Sequence, residues 1–272
     1  MLLAAALHVT AQSRSQQPGE LVVLTIAVPE SVSAVRVRAF DRDVIAFAVG
    51  ARTWRALIGI DLDVRPGTYH VSIDAGPGRE HARYDLLVAP RRFRTRRLTV
   101  DPAFVTPPAS ARERIDRDAA LLDATWRAPA PERLWTAPFV RPVPQTANSA
   151  FGTRSVFNGT PRNAHGGADF MSPAGTPIHA PNAGRIVIAR DLYFSGNTVV
   201  IDHGLGLFST LAHLSAFDVH EGDRVSAGQT IGRVGATGRV TGPHLHWAVR
   251  VSSARVDPLS VLSVLGTERR EP

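Results

Sequence analysis

Apolar residues in this chain come in short runs, many of them alternating, and proline or glycine closes most of them. Runs at 20–28, 33–40, 44–49 and 53–60 are rich in Val, Ile and Phe. Arg65-Pro66-Gly67-Thr68 is a turn signal, and Tyr69-His70-Val71-Ser72-Ile73 alternates directly after it. A further run covers 84–88. Period-two runs of this length build strands that bury one face. Several in close succession predict a small β-sandwich of immunoglobulin-like type over 18–100. With 272 residues the chain is long enough for a second domain.

The next segment, 101–135, reads as a connector. Residues 110–126 have helical composition, with Ile115, Leu122 and Trp126 on one face, and Pro107-Pro108 and Pro129 fence it. Just before it, Arg91-Arg92-Phe93-Arg94-Thr95-Arg96-Arg97 is a basic cluster, read as a solvated strand end and linker. Strand-like runs return at 184–189, 197–202, 207–213 and 245–251. A second, antiparallel β domain is therefore expected over 136–266, with 267–272 as a tail. The fold class is mainly β.

At the N-terminus, an apolar stretch from Met1 to Leu7 precedes Val9-Thr10-Ala11, which resembles a leader-cleavage site, although no positive residue comes first. Residues 1–17 are expected to be a signal peptide or disordered. No apolar run approaches the roughly 18 residues of a membrane-spanning helix. All 31 basic residues are arginine, against 24 acidic ones. The resulting charge of +7 reads as compositional bias compatible with an anionic partner such as a cell-wall polymer or a membrane surface, and no nucleic-acid partner is expected. With no cysteine, thiolate metal sites and disulfides are excluded.

Three histidine clusters carry the chemistry. In His165-Gly166-Gly167-Ala168-Asp169, an imidazole and a carboxylate can reach one ion if the backbone curves through the glycines. In Gly242-Pro243-His244-Leu245-His246-Trp247, an extended strand presents two imidazoles on one face. His213 lies in Ser209-Thr210-Leu211-Ala212-His213-Leu214-Ser215. His8, His70, His81, His179, His203 and His220 lack metal-like spacing and read as structural or exposed, His203 being the one that could support the site from behind.

In order and context these clusters resemble the lysostaphin/LytM-like M23 metallopeptidases: H-x-x-x-D, then H-L-S, then G-P-H-L-H. Phe151-Gly152-Thr153-Arg154, residues 174–181, residues 196–204 and Gly235-Ala236-Thr237-Gly238 extend the likeness to about half of the chain. The resemblance implies one Zn2+ per chain held by His165, Asp169 and His246, with His213 and His244 as the unligated catalytic pair. It also implies substrate contacts at Asn158 and Arg162, in a stretch similar to members from Gram-negative bacteria with an N-terminal β domain. The implied activity is hydrolysis of peptide cross-links in peptidoglycan, at D-alanyl–diaminopimelate bonds, by an exported enzyme. A non-hydrolytic activator of a wall amidase is the alternative. Many relatives carry tyrosine where Leu211 stands, which removes one hydroxyl from the site. The Gly222–Gly232 stretch resembles a biotinyl/lipoyl hairpin, but the chain has no lysine to modify.

Overall fold

The alternating runs become strands that bury one face. The structure, a computed structural model, describes residues 7–76, 80–99, 106–148 and 150–266. Seven strands come first: β1 (His8–Ser13), β2 (Leu21–Ala27), β3 (Val35–Ala39), β4 (Arg42–Gly50), β5 (Thr53–Gly59), β6 (Gly67–Ala75) and β7 (Glu80–Val88). Their order is β1-β2-β5-β4-β3-β6-β7. The first half of β4 pairs with β3 and the second half with β5. That order reproduces the two immunoglobulin layers, A-B-E-D and C-F-G, with β4 bridging them. Val22, Leu24 and Ile26 of β2 meet Val37, Val71, Ile73 and Leu86 between the layers.

Part of the stretch expected to be leader or disordered is β1, paired in register with β2 from His8↔Ala27 to Ser13↔Val22. Its alternating exposure shows why: one face of the hexapeptide lies on the sandwich. Residues 1–6 and 267–272 lie outside the described residues.

The rest of the chain comprises β8 (Thr95–Leu98), one 3₁₀ turn, α1 (Arg112–Arg127), β9 (Arg154–Phe157), β10 (Thr160–Pro161), β11 (Gly167–Phe170), β12 (Pro177–His179), β13 (Gly184–Leu192), β14 (Gly196–Gly204), β15 (Leu207–Phe217), β16 (Arg224–Val225), β17 (Thr230–Val234), β18 (Leu245–Val251), β19 (Ala254–Val256) and α2 (Pro258–Leu265). Its main sheet runs β11-β18-β15-β14-β13-β16 and is antiparallel throughout. The α1 helix lays Leu121, Leu122 and Trp126 against Ile188, Val200 and Phe208 on one side of that sheet. The α2 helix begins where its sequence says it should: Asp257 accepts from the Leu259 N–H, and Pro258 occupies the first turn.

The run Leu21-Val22-Val23-Leu24 is buried on both faces. One face fills the sandwich. The other, through Leu21 and Val23 with Leu57 of β5, enters the core of the C-terminal sheet beside Val256, Val261 and Leu262. Full burial of such a side chain contributes about 1.5–3 kcal/mol. Polar contacts edge the seam. Buried Glu20 and Asp257 both accept from Arg14, at 2.6 and 2.7 Å, and Arg91 reaches Glu20 at 3.1 Å. Arg255 donates to Asp61 at 2.5 Å and to Asp63 at 2.7 Å. The basic cluster is thus more than a solvated linker. Arg91 closes the seam, and β8 pairs in parallel with β9, on the rim that leads to His165.

Candidate active site

Asp169 and His246 sit directly opposite one another across the β11–β18 pair. Directly opposed residues of two neighbouring strands point to the same face, so the carboxylate and the imidazole meet. Gly167, on the same face of β11, leaves the room this needs. A Cβ there would stand 2.7 Å from the His246 ring and 2.5 Å from the Trp247 carbonyl oxygen. His165 enters from the segment before β11, which is anchored by its own N–H to the Thr153 carbonyl and by the Gly152 N–H to its carbonyl.

Three donor atoms converge. His165 Nε2 lies 3.0 Å from Asp169 Oδ1 and 3.0 Å from His246 Nδ1, and His246 Nδ1 lies 2.9 Å from Asp169 Oδ1. Among the described residues this trio is the His/Asp group whose ligand atoms cluster closely enough to hold a metal ion. Two neutral imidazoles, each presenting one nitrogen, cannot make all three contacts good hydrogen bonds, because at least one sets like against like. A single cation between the atoms satisfies all three. Two nitrogens and one carboxylate oxygen are the donor set that zinc accepts while keeping a position open. Burial pushes the Asp169 carboxyl up, but hydrogen bonds from His165 and His246, and their charge, hold it well below the usual carboxylate range. Burial also pushes the His246 imidazole down, against the hydrogen bond to Asp169.

The other two histidines are held differently. His213 Nδ1 donates to the Thr237 carbonyl at 3.0 Å, and His244 Nδ1 donates to the Gly242 carbonyl at 2.9 Å. A backbone carbonyl can only accept, so both Nδ1 atoms carry a proton, and in the neutral imidazole that leaves the lone pair on Nε2. His244 Nε2 lies 3.8 Å from Asp169 Oδ1, and the His213 and His244 ring centroids are 4.9 Å apart. Burial, reinforced by the neighbouring His246, pushes His213 down to about 4.

His213 reaches this position through a β-bulge. The register between β14 and β15 slips between Val199↔Leu211 and Asn197↔Leu214, and His213 has a φ of 69°. A bulge re-aims a side chain that strict alternation would misdirect. The left-handed conformation is held by the His213 N–H donating to the Ser195 carbonyl at 3.0 Å. Leu211, before the bulge, is fully buried in the sheet core.

All five histidine and aspartate positions expected from the sequence therefore come together. Asn158 stands at the exposed tip between β9 and β10 with a φ of 50°, followed by Gly159 at 81°, a pairing that suits a tight hairpin. Arg162 follows β10, three residues before His165. Sequence reasoning missed Thr237 and Gly242. The Gly235-Ala236-Thr237-Gly238 string was legible, but a carbonyl acceptor leaves no residue-type signature.

Of the remaining histidines, His203 is fully buried. Its Nδ1 donates to the Ala183 carbonyl at 2.8 Å, and its Nε2 meets Ser209 Oγ at 2.9 Å. Trp247 Nε1–H donates to the same hydroxyl at 3.1 Å. His70 and His81 are exposed and pair with Asp85 and Asp74, and His220 is exposed.

A family model described as Peptidase family M23 matches residues 163–258, a span containing all five positions. The chain is 42% identical over 113 residues to the peptidoglycan DD-endopeptidase ShyA of Vibrio cholerae, covering 41% of this chain and 26% of ShyA. It is 45% identical over 97 residues to the DD-carboxypeptidase/endopeptidase Mpg of Neisseria meningitidis, covering 36% of this chain and 22% of that protein. The matched region thus spans about a quarter of the length of these curated relatives. A crystal structure from Pseudomonas aeruginosa assigned to peptidase M23 superposes with a TM-score of 0.73 at 32% identity, covering 93% of this chain and 96% of that one.

Proposed function

The chain belongs to peptidase family M23, and from that premise we propose that it is a zinc-dependent endopeptidase that cuts peptide cross-links of peptidoglycan. The observation that carries the reading is the division of labour among four histidines and one aspartate. His165, Asp169 and His246 aim three donor atoms at one point, while His213 and His244 keep free Nε2 lone pairs beside it. The relative named as a peptidoglycan DD-endopeptidase supports the substrate class. Export follows from that substrate.

His165 Nε2, Asp169 Oδ1 and His246 Nδ1 would hold one zinc ion. When bound, zinc supplies Lewis acidity for the scissile carbonyl and for attacking water. The protein's own groups handle the proton. His213 Nε2 and His244 Nε2 are both placed to accept it from water, because their Nδ1 atoms are occupied by carbonyls. Once protonated, either imidazole stabilises negative charge developing on the carbonyl oxygen and returns the proton to the leaving amine. A depressed basicity at His213 keeps it neutral, and therefore ready to accept, at neutral pH.

Within this class, the D-alanyl–diaminopimelate bond is the proposed target. Digestion of diaminopimelate-type wall by the zinc-loaded protein should convert cross-linked dimers to monomers with the glycan intact, read by mass spectrometry. Chelation should stop it and zinc should restore it. Cleavage of pentaglycine bridges alone would reject the target. Unchanged activity in metal-free protein would reject the zinc mechanism. An amidase activator would need no such centre, and the intact donor set and both anchored bases speak against that alternative.

A further inference from the structure

His165 is held differently from His213 and His244. Those two have Nδ1 tied to a carbonyl, whereas His165 Nδ1 is buried and has no hydrogen-bond partner among the described residues. A metal-binding imidazole ordinarily has its second nitrogen hydrogen-bonded, and that bond fixes the ring. The placement of His165 therefore falls to its backbone and to whatever supports it. Its N–H donates to the Thr153 carbonyl at 2.9 Å, and its carbonyl accepts from the Gly152 N–H at 2.8 Å.

The segment 151–154 that makes those two bonds is itself clamped from the N-terminal side. The Arg154 N–H donates to the Arg94 carbonyl at 2.8 Å, at the start of the parallel β8–β9 pair. The Phe93 ring lies so close to Gly152 that a Cβ there would stand 2.0 Å from it. The buried Phe151 ring seats in the same way on Gly19 of the sandwich, where a Cβ would stand 2.2 Å away. The two rings meet edge to face, with centroids 6.5 Å apart. Arg91 reaches both: its guanidinium carbon lies 5.0 Å from the centre of Phe93 and 5.8 Å from that of Phe151. The same guanidinium donates to the Pro18 carbonyl at 3.0 Å and to the Glu20 carboxylate at 3.1 Å, on either side of Gly19.

We propose that Phe93 and Arg91 are positioning residues for the metal centre. Through Phe151 and Gly152 they lock the strand on which His165 hangs, so the N-terminal sandwich sets the aim of the first metal ligand. This inference rests on the metallopeptidase reading above and gives the sandwich a part in it. Asp169 and His246 need no such help, because opposed positions on β11 and β18 fix them within the main sheet. His165 precedes β11 and lies outside that sheet.

The test uses the full-length protein. It measures zinc affinity by competition with a chromogenic chelator, and amide hydrogen exchange in the metal-free state. Losing a group that orients a metal ligand ordinarily weakens affinity about 10–100-fold. Phe93→Ala is expected at the lower end, about tenfold weaker, with loss of amide protection at Gly152 and His165. Phe93→Leu, the milder change, should fall between Phe93→Ala and the wild type, and it carries the comparison if Phe93→Ala does not fold. Arg91→Met should act in the same direction, since Arg14 still holds Glu20. Tyr69→Ala removes a ring that packs on Phe40 of the sandwich and takes part in none of these contacts, so it should change neither reading. Zinc affinity unmoved in the Phe93 variants, or an equal fall in Tyr69→Ala, overturns the brace alone. A wild type that takes up no zinc overturns the metallopeptidase reading itself, and this inference with it.

Discussion

His203 and His213 lie on neighbouring strands of one sheet, and burial pushes both imidazoles down to about 4. Their surroundings separate them. At His203 both ring nitrogens are used inside the protein, by the Ala183 carbonyl and the Ser209 hydroxyl. At His213 one nitrogen is used and the other is open beside Asp169, His244 and His246. A buried histidine whose hydrogen bonds are complete is a structural part, whereas one anchored on a single side is available for chemistry. Depressed basicity alone does not distinguish them.

The largest effects belong to the open region. His246→Ala should abolish metal uptake and hydrolysis together, measured by elemental analysis and wall digestion, since it removes one of three donors. A variant that still binds metal stoichiometrically would break the ligand assignment. Next, His213→Ala and His244→Ala should keep the metal while turnover falls about 10²–10⁴-fold, the usual contribution of a general acid or base. Metal loss in either variant would merge the two groups that the hydrogen bonds separate.

The closed region should answer differently. His203→Ala strands the Ala183 carbonyl and leaves a void below Trp247, at a cost of about 2–4 kcal/mol in unfolding free energy. The protein that remains folded should still bind metal. A loss of turnover like that of His213→Ala, with stability unchanged, would place His203 among the working residues.

The last effect is a pH dependence, of much the same size as that loss. Folded His203 stays neutral down to about 4, while an unfolded imidazole titrates near 6.5. Between those values the unfolded chain binds the extra proton, so stability rises with pH across the window and is lost as pH falls through it. The gap corresponds to about 3 kcal/mol. Urea unfolding at pH 4 and pH 6.5 should reveal it, and His203→Asn should flatten the limb by that amount. An equal slope in the variant would assign the dependence elsewhere, His213 being the first alternative because it acts in the same direction.

Much of this was legible in the sequence because strands and ligands have local signatures. Alternation located β3, β5 and β18 to within two or three residues. The fences of proline around 110–126 located α1. The pair His244 and His246, two apart, and the glycines before Asp169 offered donor types at suitable spacing, and the resemblance to M23 metallopeptidases gave them their expected roles. The seam was not legible. The continuous apolar run in β2 says that both faces are covered, but not that one covering is a second sheet nearly the length of the chain away. The same limit applies to β8, since arginines in a row read as solvated until a parallel partner such as β9 is found.

By itself, then, the amino-acid sequence determined the β class, the immunoglobulin-like run of strands and the five histidine and aspartate positions that the fold gathers at one place, because periodicity and donor chemistry are properties of a few neighbouring residues. Tertiary structure alone decided which nitrogen of each histidine is free. It seated His213 on a left-handed bulge, used carbonyls from Thr237 and Gly242 to set two tautomers, and closed off His203 with Ser209. Each of these depends on backbone groups or charges distant in sequence, and a carbonyl oxygen is the same in every residue until the fold aims it.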